Sequence, residues 1–221
     1  MRHWLRDHGL TLTMFGLFAI FLVGQSITGL REYNHNRHDH DETSITYSSY
    51  LRTGHFIEAT FENWESEFLQ MGLYVVLTAV LFQRGSAESK DPDRQEPVDE
   101  DPRLESAQLG VPWPVRRRGV ALAVYEHSLS IALLLVFVAS FVLHALGGAH
   151  DYSEEQLAHG GQAVSALAYL RTARFWFESF QNWQSEFLSI GAVVILSVYL
   201  RQRGSPESKP VAAPHSATGS G

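Results

Sequence analysis

The sequence predicts an all-α, polytopic membrane protein in which four transmembrane helices form two tandem parallel hairpin repeats, accompanied by amphipathic interfacial helices. Three observations predict it. Apolar residues are pooled, so that Gly9 to Leu30 and Ser128 to Ala149 each run for 22 residues without Asp, Glu, Lys or Arg. Residues 50–90 and 169–209 align without gaps at an offset of 119 and are identical at 23 of 41 positions. The 17 basic residues are shared unevenly among the segments between the apolar runs.

Overall composition, 45% hydrophobic and 19% charged, is ordinary for a globular chain. The segregation of these residues carries the information. The absence of cysteine excludes disulfide scaffolds, thiol nucleophiles and thiolate metal sites.

The first repeat is expected over 1–90, with spans at about 9–30 and 64–83. At ~1.5 Å per residue, 22 residues cover the ~30 Å hydrocarbon core. A basic end before an apolar run also describes a signal peptide. The matching segment of the second half stands deep inside the chain, so the first is read as a retained helix. The stretch "HNRHDHDE", residues 35–42, offers three histidines and three acids, the chemistry of zinc binding or acid sensing. Its spacing fits no closed metal site, and it is expected as a solvated loop. "YLRTGHFIEATFENW" and "YLRTARFWFESFQNW" carry aromatic and aliphatic residues at helical spacing among charges. They are expected as helices lying on the membrane surface that bend into the second and fourth spans. Phe68 to Gln83 holds only 16 uncharged residues, so the second span must begin upstream, near Trp64.

Residues 91–118, rich in Pro and acid, are expected as a disordered cytoplasmic linker, with "RRRG" anchoring the third span at the headgroups. The second repeat is expected over 119–209, with spans at about 120–148 and 183–202, and residues 210–221 as a disordered tail. The N-terminus, linker and C-terminus together hold twelve of the basic residues against five in the other two loops. Cytoplasmic loops collect Lys and Arg, so both termini and the linker are expected in the cytoplasm. Two crossings per half return the chain to its starting side, which makes the repeats parallel.

"NWESEF" and "NWQSEF", residues 63–68 and 182–187, open the second and fourth spans. Asn63, Ser66 and Glu67, at spacings of 0, 3 and 4, share one helix face, as do Asn182, Ser185 and Glu186. These six residues are the candidate polar funnel, and Trp64 and Trp183 the expected interface anchors. The plainer reading of the same residues is interhelical hydrogen bonding that holds the bundle together. His144, standing where the first half has Gln25, is expected in an interhelical hydrogen bond rather than a proton relay.

The stretches "MFGLFAIFLVGQS", "GHFIEATFENWESEFLQMG" and "LFQRGSAESKDPD" resemble a family of small bacterial integral membrane proteins defined as a domain of unknown function. The resemblance covers both halves, with "FENWESEF" and "QRGSAESK" its most specific parts. It implies a bacterial inner-membrane address and supplies no substrate, cofactor or catalytic residue. The residues themselves offer no nucleophile constellation, phosphate loop or metal motif. A non-catalytic scaffold or interaction protein is therefore expected, with no enzyme activity, catalytic residue, metal or cofactor. The lipid bilayer and a second copy or another membrane protein are the expected partners, and nucleic acid is not. The alternative is a small transporter or channel that uses the paired carboxylates of the second and fourth spans.

Overall fold

Long runs without glycine or proline let helices propagate well past the apolar blocks. The computed structural model describes residues 2–40, 42–104 and 110–219. Met1, Asp41 of the histidine-rich stretch, residues 105–109 of the linker and residues 220–221 of the tail lie outside the described residues. Among the described residues the chain is all-α, with no strand. Its helices are α1 (Arg2–Asp7), α2 (Gly9–Asp39), α3 (Tyr47–Tyr50), α4 (Gly54–Val80), α5 (Trp113–Arg117), α6 (Gly119–Glu126), α7 (Ser128–Ala158), α8 (Ala166–Tyr169) and α9 (Ala173–Tyr199).

Several bounds differ from those read in the sequence. No Gly or Pro interrupts residues 55–71 or 174–190, and the segments expected as interfacial helices bending into the second and fourth spans begin at the ends of α3 and α8 and continue, from Gly54 and Ala173, as the first turns of α4 and α9. α2 likewise continues nine residues past Leu30, through the polar stretch to Asp39. The third expected span is divided at His127 into α6 and α7. Within the linker, Pro97–Asp99 forms a 3-10 turn with a capping box, and Lys90 pairs with Asp99 at 2.5 Å. The break between α5 and α6 comes from consecutive positive φ angles, 58° at Arg118 and 63° at Gly119. The stretch expected as disordered thus has local hydrogen-bonded structure among its described residues.

The chain divides into two compact units, residues 1–60 with 143–172 and residues 61–142 with 173–221. In the first, close approach is made by glycine. A Cβ on Gly54 would stand 2.6 Å from the Gly147 carbonyl oxygen, and one on Gly147 would stand 2.6 Å from the Glu58 nitrogen. Small residues of this kind let helix backbones meet. Tyr50 lies against Gly29 of α2 and Tyr169 against Gly148 of α7, with 1% and 0% of their surfaces exposed. Burying each ring contributes about 2 kcal/mol. Local bonds set both tyrosines alike: Thr53 and Thr172 each donate to the preceding tyrosine carbonyl at 2.7 Å. Asn34 bridges to the Ile45 backbone just as Ser153, at the matching position, bridges to Val164.

In the second unit, Phe175 is fully buried, edge-on to Phe141 at 5.2 Å and to Trp176 at 5.4 Å. The motif "QRGSxESK" occurs after α4 and again after α9 and forms the same loop each time. Gln83 N–H donates to Ser89 Oγ and Gln202 N–H to Ser208 Oγ, both at 2.9 Å. Glu88 N–H donates to Ser86 Oγ and Glu207 N–H to Ser205 Oγ, both at 3.1 Å. Gly85 and Gly204 supply the left-handed turn, at φ 87° and 86°. The motif's serines and glycine are accounted for by helix termination.

The core is small, and large apolar side chains lie largely outside it. Leu10, Phe15 and Phe21 of α2 are 67–75% exposed, and Leu129 and Leu135 of α7 are 60% and 63% exposed. Contiguous exposed apolar patches mark membrane or partner-binding surfaces.

Candidate functional site

The sequence cluster supplies two helix faces, and the structure uses both. All six funnel residues belong to the second unit. Ser66 is buried, Asn182 and Glu186 are half-buried, and Asn63, Glu67 and Ser185 are exposed. Ser66 Oγ donates to the Asn63 carbonyl and Ser185 Oγ to the Asn182 carbonyl, each at 2.8 Å. These bonds stay within their own helices. Glu67 lies within electrostatic reach of Glu186.

The carboxylates that reach across from α4 are Glu62 and Glu65. Asn182 Nδ2 donates to Glu62, and the Trp183 indole Nε1–H donates to Glu65 at 3.0 Å. Glu65 has no exposed surface. Trp183, expected as an anchor, therefore turns its polar edge to a protein carboxylate, and its ring joins an aromatic cluster with Trp176 and Phe180. Trp64 is half-buried and edge-on to Phe61 at 5.2 Å. Arg174 pairs with Glu178 at 2.9 Å, one turn along α9.

Sequence reasoning missed Glu62 and Glu65. The signal available was the second copy, which has Gln181 and Gln184 at the matching positions; Glu65 against Gln184 is the one difference between "NWESEF" and "NWQSEF". Glu58, Glu62 and Glu65, at spacings of 0, 4 and 7, form one acidic face of α4.

In the first unit Glu58 accepts from the Tyr169 hydroxyl at 2.9 Å, and one of its carboxylate oxygens lies within 4.8 Å of a ring nitrogen of His144. His144 is fully buried, and Gln25 donates to Thr60 at 3.4 Å. Glu58 and His144 are groups of metal-ligating type, two of the three or four protein ligands that a zinc site needs. The histidine-rich stretch is mostly helical. His35 faces Asp39 at 3.8 Å, Arg37 pairs with Glu42 at 2.8 Å, and His40 caps α2.

Glu58, Glu62 and Glu65 each meet a donor from an aromatic or amide side chain. That is packing chemistry, in which burial strengthens the bonds and makes their loss costly. Arranged on helices with exposed apolar faces, it defines an all-α protein in which two helices, α2 and α7, are long and apolar enough to cross a membrane. The chain belongs to the family described as domain of unknown function DUF6766, which matches residues 1–220. No curated protein and no solved structure matches it.

Proposed function

We propose that the chain is a four-span protein of the bacterial inner membrane that serves as a non-catalytic scaffold or interaction protein. Its halves form parallel hairpins, with both termini and the linker in the cytoplasm. The observation that carries this reading is the outward exposure of large apolar side chains along α2, α7, α4 and α9, such as Phe21, Leu135, Val80 and Leu188. A lipid solvent makes that distribution favourable, which supports the reading. At 27 residues each, α4 and α9 extend ~40 Å, enough to span a bilayer. The matched loops after α4 and α9 support the duplication.

Topology is tested by introducing single cysteines into the naturally cysteine-free chain. Ser48→Cys and Ser165→Cys should react with a membrane-impermeant maleimide on intact cells, and Gln95→Cys only after lysis. Labelling of Gln95→Cys from outside reverses the topology.

The second reading is a small transporter or channel. The buried acidic face of α4 and the proximity of Glu67 to Glu186 favour it. Flux in proteoliposomes that is abolished by Glu65→Gln, or by Glu67→Gln with Glu186→Gln, would replace the scaffold reading.

A further inference from the structure

The last turns of α2 and α7 and the first turn of α4 enclose a cleft of about 540 Å³ within the first unit. His40, His55 and His159 all line it, together with Asp151, Glu154 and Glu155. No short stretch of sequence contains this set. His40 and His159 stand 119 residues apart, each at the end of its helix.

The two rings are held alike. His40 Nδ1 lies 2.8 Å from the Asn36 carbonyl oxygen, and His159 Nδ1 lies 2.8 Å from that of Glu155. A carbonyl oxygen only accepts, so each Nδ1 carries the hydrogen and each neutral ring keeps its Nε2 lone pair for a Lewis acid. Metal-binding histidines are commonly oriented in this way, by donating the second ring nitrogen to a backbone carbonyl. His55 also engages Nδ1, with the Tyr50 hydroxyl at 3.2 Å.

The surroundings favour a cation. Arg37, the basic side chain on the wall, is paired with Glu42, and the carbonyl ends of α2 and α7 add partial negative charge.

We propose that this cleft binds a divalent transition-metal cation of the zinc class through Nε2 of His40, His55 and His159, with Asp151 or Glu154 completing the set. The ligand atoms are not gathered within 4.8 Å of one another. Binding therefore has to draw the three rings together, and His40 and His159 are exposed side chains at helix ends. Imidazole and carboxylate ligands suit zinc and its neighbours in the first transition row.

The test uses untagged full-length protein in detergent micelles, with Zn²⁺ alone as the probe in equilibrium dialysis. One zinc should bind per chain. His40→Ala and His159→Ala should each weaken binding at least tenfold, in proteins whose helical circular dichroism matches the parent. His35→Ala and His38→Ala, changed on the same helix end but away from the cleft wall, should bind as the parent does. Equal losses in those controls would mean that the histidine-rich stretch alone captures zinc, which overturns the proposal. Co²⁺ added to the parent protein gives a readout that needs no variant, because nitrogen-coordinated cobalt absorbs visible light. A parent protein that gives no such band and retains no zinc also overturns it.

Discussion

The indole N–H of Trp183 donates to Glu65 at 3.0 Å, joining α9 to a carboxylate of α4 that has no exposed surface. A Trp placed at a lipid interface would turn that N–H to headgroups or water. Here it is committed to the protein, so the repeated "NW" pair holds helices together in its second occurrence.

Glu65→Ala should leave the indole donor without this acceptor and cost about 1–3 kcal/mol, whereas Glu65→Gln keeps an acceptor and should cost less. Denaturant unfolding in detergent measures both. If the two variants are equally and barely destabilised, the bond contributes nothing to stability.

Tyr50 predicts an alkaline limit. Its hydroxyl is pushed up to about 12, first by burial and then by neighbouring charges, while an unfolded tyrosine ionises near 10. The fold therefore favours the neutral hydroxyl. Its contribution is fully present below pH ~10 and is lost as the pH rises through ~12, about 2–3 kcal/mol in all. Phenolate absorbance should show late-ionising tyrosines, and Tyr50→Phe should remove one of them. Ionisation of every tyrosine together near pH ~10 would contradict this.

Two glycines on the long helices should respond oppositely to alanine. A Cβ on Gly147 would meet backbone and Ile57 at 2.6–2.8 Å, while one on Gly16 meets nothing within 4 Å. Gly147→Ala should cost about 1–3 kcal/mol by overpacking, and Gly16→Ala should gain up to about 1 kcal/mol by helix propensity. Thermal unfolding in detergent orders the two, and a stabilised Gly147→Ala would mean that α4 and α7 do not approach so closely.

Lys209 fastens the C-terminal segment. It is 1% exposed, and its ammonium donates to the carbonyls of Gly85, His215 and Ala217, the last two at 3.0 and 2.9 Å. Lys209→Ala should free residues 210–219 and raise their protease cleavage at least several-fold. Lys90→Ala, which loses the pair with Asp99 and the contact with the Phe82 ring, should leave that segment protected. Equal cleavage in parent and Lys209→Ala would show that the segment is held by other bonds.

The all-α class and the two longest apolar helices are readable from the sequence, because both rest on local properties: runs of 22 uncharged residues and the absence of proline from them. The recurrence of "QRGSxESK" is readable too, although its role as a helix-terminating loop appears only in the hydrogen bonds. Glu65 is different. "NWESEF" is polar on more than one face, so periodicity offers the Asn63–Ser66–Glu67 stripe as readily as the Glu58–Glu62–Glu65 stripe. Which one turns inward depends on the rotation of α4 about its axis, and that is set by partners such as Trp183, more than a hundred residues away. The meeting of His40 with His159 and the closing of the C-terminal segment over Lys209 have the same origin. Side-chain period and chain breakers act within a few turns of helix, whereas these contacts form only when packing brings distant segments to one place.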